Sequence, residues 1–209
     1  WVSVGASLWS TRAPEYHDGA LLMDGRQGDW GRHQEGGADV ELSRQSGEVG
    51  VVYRLACRNS GKASNHVQLW GPFPQDLSPS PGAMLTLRFR ARSTIPFKAQ
   101  PPTIRRNRSP WTAYASGTGS LEMGPEWQDY TARLSLAGQP VEARLHLYLG
   151  GILPAGAVFE FQPLGLYETT CTAGVPLSVD VGNLIFDHGK ACGWKRWAVD
   201  QLKSPLDYV

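Results

Sequence analysis

"MLTLRFRAR", residues 84–92, decides the fold class. Leu85, Leu87, Phe89 and Ala91 take every second position, and Thr86, Arg88, Arg90 and Arg92 fill the gaps. Successive side chains of an extended chain point to opposite faces, so this period of two buries one face and leaves the other in water. A helix would mix both sets around its circumference. The same alternation recurs on either side. "VVYRLACR" (51–58) turns Val51, Tyr53, Leu55 and Cys57 one way, and "DYTARLSL" (129–136) turns Tyr130, Ala132, Leu134 and Leu136 inward. "ARLHLYLG" (143–150) puts Leu145, Leu147 and Leu149 inward with Arg144, His146 and Tyr148 outward. "VFEFQPLGLYE" (158–168) buries Phe159 and Phe161, and Pro163, lacking an N–H, marks a sheet edge or a bulge.

Turn chemistry separates these runs: "NSGKASN", "PFPQDLSPSPG", "ASGTGS", "LAGQP" and "GGILPAGA". No helix of ordinary length is read between residues 20 and 168. Many short strands with Gly/Pro turns make an all-β sandwich or barrel.

Composition agrees. The 209 residues hold 24 Gly, 15 Pro and 8 Trp, with 19% charged residues, which suits a turn-rich extracellular domain. A formal net charge of +1 gives no global basic field, which argues against a nucleic-acid binder. No run reaches membrane-spanning length. A chain opening on Trp1 reads as a processed product or an excised piece, so the missing signal peptide says nothing about secretion. Of the 3 cysteines, Cys57, Cys171 and Cys192, at most one pair can join; buried free thiols are the expectation.

One strand carries a different signal. In "HVQLWGPF" (66–73), Val67 and Leu69 face the core while His66, Gln68 and Trp70 face out. An outward indole is either covered by the following "GPFP" loop or offered to a ligand. Trp111, in "SPWTAY", poses the same alternatives. Trp30 and Trp127, at strand starts, read as packing residues.

The middle of the chain resembles β-sandwich carbohydrate-binding modules of the family 4, 9 and 22 type. "LLMDGRQGDW" is similar to their opening segment, and "HVQLWGPFPQDLSPSPGAMLTLRFRARS" to their Gln strand, Pro-Gly turn and Phe-x-Ala strand. "EWQDYTARLSL" and "ARLHLYLGG" resemble the next two strands. The resemblance covers residues 20–168 and implies a jelly-roll β-sandwich of two antiparallel sheets. The flanks, 1–19 and 169–209, differ. "LWSTRAPEY" and "DVGNLIFDHGKACGWKRW" resemble pieces of secreted right-handed parallel β-helix proteins, many of them glycoside hydrolases or polysaccharide lyases. Residues 169–209 would then begin a β-helix-type region, with the catalytic β-helix domain of the parent further on.

The resemblance also implies which strands share a sheet: 66–71, 143–150, 96–104 and 110–116 in one, and 51–58, 84–92, 129–136 and 158–168 in the other. The first sheet then offers His66, Gln68, Trp70, Arg144, His146 and Tyr148, joined by Lys98, Trp111 and Tyr114. Aromatic plates for sugar C–H faces, mixed with amide, imidazole and guanidinium groups for hydroxyls, suit a polysaccharide of plant, algal or microbial origin. His66 and His146 facing each other would be satisfied surface histidines rather than a metal pair, for lack of a third ligand.

Modules of this type often hold a structural calcium. The usual acidic ending is replaced here by Phe161, Gln162, Pro163 and Leu164, which leaves Asp24, Asp29 and Glu160 as calcium candidates. No other cofactor is expected. Glycoside hydrolysis needs a carboxylate on each side of the bond, and the proposed face supplies none from its two clearest strands. The chain alone therefore reads as a non-catalytic, secreted or periplasmic module that serves a polysaccharide-degrading enzyme. Two alternatives stand beside it: a structural domain bracing a β-helix, and a binder of acidic polysaccharide through Arg105, Arg106 and Arg108.

Overall fold

The computed structural model describes residues 15–26, 28–47, 50–75, 77 and 82–172. The chain divides into two compact units, Ala20–Glu168 and Trp1–Gly19 with Thr169–Val209. In the second, the Thr170 hydroxyl donates to the His17 carbonyl at 3.3 Å. Residues 1–14 and 173–209, which carry most of the β-helix resemblance and Cys192, lie outside the described residues.

Strands in chain order are β1 (Glu15–Asp24), β2 (Gly31–Gln34), β3 (Asp39–Gly47), β4 (Gly50–Asn59), β5 (Val67–Gly71), β6 (Met84–Ser93) and β7 (Phe97–Ala99). They continue as β8 (Thr103–Arg106), β9 (Ala113–Ser116), β10 (Leu121–Met123), β11 (Gln128–Leu136), β12 (Ala143–Tyr148) and β13 (Val158–Thr172). The helical content among the described residues is one 3-10 turn, Ser64–His66.

One layer runs β2-β5-β12-β8-β9 and the other β11-β6-β13-β4-β3, every neighbour antiparallel. The layers join where Leu136 of β11 meets Ala115 of β9. The inward residues read from period two are the buried ones: Leu85, Leu87, Phe89, Ala91, Leu134, Leu145, Leu147, Phe159 and Phe161 are each 1% exposed or less. Trp30 bridges the layers, its ring 4.7 Å from that of Phe161. Fully burying one such side chain contributes roughly 1.5–3 kcal/mol, which is why this alternation dictates the sandwich.

Several expectations are corrected. Residues 96–104 do not form one strand of the first sheet: β7 leaves to pair with β10 in a two-stranded ribbon, and β8 stays. Trp127 is not a core residue. It lies half-buried on the outer face, with the guanidinium carbons of Arg92 and Arg90 at 4.9 and 5.6 Å from its ring centre. Thr86 faces outward but is buried. Pro163 marks a bulge, not an edge: β13 lies between β6 and β4, and its register to β6 shifts between Pro163 and Gly165. The missing N–H of proline is tolerated where the ladder is already broken.

Cys57 and Cys171 are free thiols, and burial raises the Cys57 pKa. The three calcium candidates are each engaged in an ion pair. Asp24 is paired with Arg26, Asp29 with Arg44 and Glu160 with Arg92. No cluster of three or more His, Cys, Asp or Glu placed to hold a metal occurs among the described residues.

Candidate functional site

Three adjacent strands make the floor. On β5 and β12, Gln68 lies opposite Tyr148 and Trp70 opposite His146; on β12 and β8, His146 lies opposite Thr103 and Arg144 opposite Arg105. Alternation sends Val67, Leu69, Leu145 and Leu147 into the core, so their neighbours must face outward. His33 and Glu35 from the β2 side and Trp111 from the β8–β9 loop add walls to a trough of about 770 Å3.

A polar relay fixes the floor. The Gln68 amide nitrogen donates to the Asn65 carbonyl at 3.0 Å, which settles which end of the carboxamide is oxygen. Its oxygen then lies 3.1 Å from His146 Nδ1. A carbonyl oxygen only accepts, so Nδ1 carries the proton and Nε2 is a lone-pair acceptor. Burial, reinforced by the nearby charges of Arg105, Arg144 and His33, draws the His146 pKa from 6.5 down to about 4. The ring is neutral near pH 7. His146 is 7% exposed, and its Nε2 has no hydrogen-bond partner in the protein. The buried Thr103 hydroxyl, its cross-strand neighbour, has none either. Gln68 thus positions His146, and both ends of its carboxamide are engaged within the protein.

The aromatic groups divide by what covers them. The Arg144 guanidinium carbon lies 4.0 Å from the Trp70 ring centre. Gly31 lies opposite Trp70 on β2, and a Cβ there would overlap the indole. Trp70 is therefore packed between its own neighbours. Tyr148 lies parallel to His146, centroids 5.9 Å apart, and its hydroxyl accepts from Arg105 at 2.8 Å. Trp111 is 56% exposed, beside a cis Ser109–Pro110 bond.

The arginine-rich loop has its own architecture. Arg106 and Arg108 both grip the Glu142 carboxylate, at 2.9 and 2.6 Å for two of their contacts. These bonds, those of Arg106 foremost, hold the Glu142 carboxyl below the usual carboxylate range. Arg105 donates to the Trp111 carbonyl at 2.8 Å. Trp111 and Glu142 take left-handed φ values of 54° and 51°, a conformation that costs a non-glycine residue roughly 1–3 kcal/mol. The loop's hydrogen bonds offset that cost and hold the indole up.

Of the residues expected on this face, Gln68, Trp70, Trp111, Arg144, His146 and Tyr148 line the trough together. Three do not. His66 ends the 3-10 turn, where its Nδ1 accepts the Lys62 N–H at 3.1 Å, and it does not face His146. Lys98 sits on the β7–β10 ribbon, paired with Glu122 at 2.7 Å. Tyr114 packs against the core edge and donates to the Val141 carbonyl at 3.1 Å. Sequence reasoning missed His33, Glu35, Asn65 and Thr103. β2 is four residues, three of them exposed, so no alternation betrays it.

No family model matches the chain, and no curated protein matches it. Solved structures do. A CBM4 module superposes with a TM-score of 0.53 at 20% identity, covering 66% of this chain and 86% of that one. The N-terminal cellulose-binding domain of Cellulomonas fimi β-1,4-glucanase C gives 0.49 at 15% identity, over 66% and 88%. The CBM22-1 xylan-binding domain of Paenibacillus barcinonensis Xyn10C gives 0.48 at 15%, over 72% and 96%. With its two antiparallel layers, the chain has the β-sandwich fold of a carbohydrate-binding module.

Proposed function

We propose that the trough binds a polysaccharide chain without cleaving it. A fold hosts many activities, so the reading rests on the site. One observation carries it: His146 Nε2 and the Thr103 hydroxyl, adjacent and unpartnered on the trough floor, lie within a wall of aromatic rings. A buried polar group without a partner costs about 1–3 kcal/mol. A sugar answers both features, since its hydroxyls donate and accept while its C–H faces lie on aromatic rings. Trp111 supplies the free ring.

Non-catalytic binding follows from the carboxylates. Glu35 is the carboxylate among the described lining residues, and it is tied to Asn65 and His33. A hydrolase of the usual kind needs a second on the far side of the scissile bond. The module then serves a secreted or periplasmic polysaccharide-degrading enzyme, a step supported by the resemblance of the terminal segments. No helix among the described residues is long and apolar enough to cross a membrane.

Affinity electrophoresis of the 209-residue chain in gels containing xylan, β-glucan, mannan or galactan tests the proposal. Retardation by at least one polymer, with no release of reducing ends, is expected. Retardation by none of these, nor by an acidic polysaccharide run beside them, would leave a bracing role instead.

A further inference from the structure

The trough holds an uncompensated pair of charges. Arg105 and Arg144 lie directly opposite each other on β8 and β12, and both line the trough. Like charges directly opposite across a ladder destabilise it. Several other arginines of this unit, though not Arg32 or Arg54, meet carboxylates: Arg106 and Arg108 share Glu142, Arg90 meets Asp129, Arg92 meets Glu160. Among the described residues no carboxylate pairs with Arg105 or Arg144. Arg105 is bound to neutral oxygens, the Trp111 carbonyl and the Tyr148 hydroxyl, and Arg144 rests on the Trp70 ring. These contacts orient the two guanidiniums without neutralising them. Burial is the main cause of the low His146 pKa, and the charges of both arginines add to it.

We propose that the Arg105–Arg144 pair receives an oxyanion borne on the sugar chain, a uronate carboxylate or a sulfate ester. The proposal rests on the glycan-binding reading above and makes it specific. A guanidinium has five N–H donors in one plane; Arg105 makes three hydrogen bonds within the protein, two to the Trp111 carbonyl and one to the Tyr148 hydroxyl, and keeps donors for an anion. The site shares Arg105 with the arginine-rich loop but not Arg106 and Arg108, which are already engaged by Glu142.

The test measures Kd by titration calorimetry of the full chain against a uronate-substituted xylan, the same xylan after carboxyl reduction, and a sulfated xylan. One charged polymer should bind at least roughly tenfold tighter than the reduced one, as a charge-assisted hydrogen bond implies. Which of the two does so identifies the anion. That advantage should shrink as salt rises. Arg144→Gln should erase the advantage of the charged polymer over the reduced one, and Arg144→Lys should keep part of it. Equal binding of all three polymers by the unaltered chain would overturn the pair's role and leave glycan binding intact. Failure to bind any of them, when another polymer retards the chain in the gels, would overturn the pair's role alone; failure with every polymer would overturn both.

Discussion

The Arg144 guanidinium lies over the Trp70 indole, 4.0 Å from its ring centre, on the face where an incoming sugar would compete with it. Outward direction alone left Trp70 either covered by the protein or offered to a ligand. In the fold its ring is already in contact with a cation, an attraction worth roughly 0.5–2 kcal/mol depending on desolvation.

The two indoles should therefore separate in experiment. Trp70→Ala should lower the melting temperature and weaken binding together, because it removes packing against Gly31 and the seat of Arg144. Trp111→Ala should leave the melting temperature within about 2 °C, since surface substitutions change stability by at most ~0.5 kcal/mol. Its glycan affinity should fall about tenfold. Thermal melts beside titrations decide it; the reverse pattern would reassign the stacking ring.

His146 should impose a pH dependence on stability. Its folded pKa of about 4 lies below the 6.5 of an ordinary histidine. Above pH 6.5 both states are neutral there and no penalty exists. As pH falls toward 4 the unfolded chain takes up a proton that the folded chain refuses, so stability drops. Below that both states are protonated and this loss levels off at roughly 3 kcal/mol. His146→Gln should flatten the decline between pH 6.5 and 4 in urea unfolding curves. An unchanged slope would show that the ring titrates normally.

Glu142 should act on binding through the loop. Glu142→Gln removes the charge that Arg106 and Arg108 both grip, and Trp111 sits at the end of the same loop. Glycan affinity should fall severalfold, and proteolysis between residues 106 and 112 should quicken. Acidification should weaken this clamp only below the usual carboxylate range, because the arginines lower the Glu142 pKa. Unaltered proteolysis in the variant would mean that the backbone bonds hold the loop by themselves.

The layers were legible because burial enforces alternation. From Leu85 to Ala91, and again from Leu145 to Leu149, one apolar residue in two suffices to name the inner face. The site was legible in its centre for the same reason: once Leu145 and Leu147 point in, Arg144, His146 and Tyr148 must point out. Lys98 does not join the trough because membership of a sheet depends on pairing, and pairing is not written in period two; Tyr114 stays in the expected layer, on β9, but packs against the core. β7 prefers β10, and Tyr114 finds the Val141 carbonyl. His66 failed by one position, since the 3-10 turn ends on it and the strand begins at Val67.

What the residues determined unaided is therefore directional: which side of each strand meets hydrocarbon and which meets water. What only the tertiary structure decided is neighbourhood. It set Arg144 on Trp70, spent both ends of the Gln68 amide, left His146 Nε2 and the Thr103 hydroxyl without partners, and locked Arg106 and Arg108 onto Glu142. Direction is local, because alternation follows from backbone geometry at each residue. Partnership across strands far apart in the chain depends on register, which the whole core selects at once.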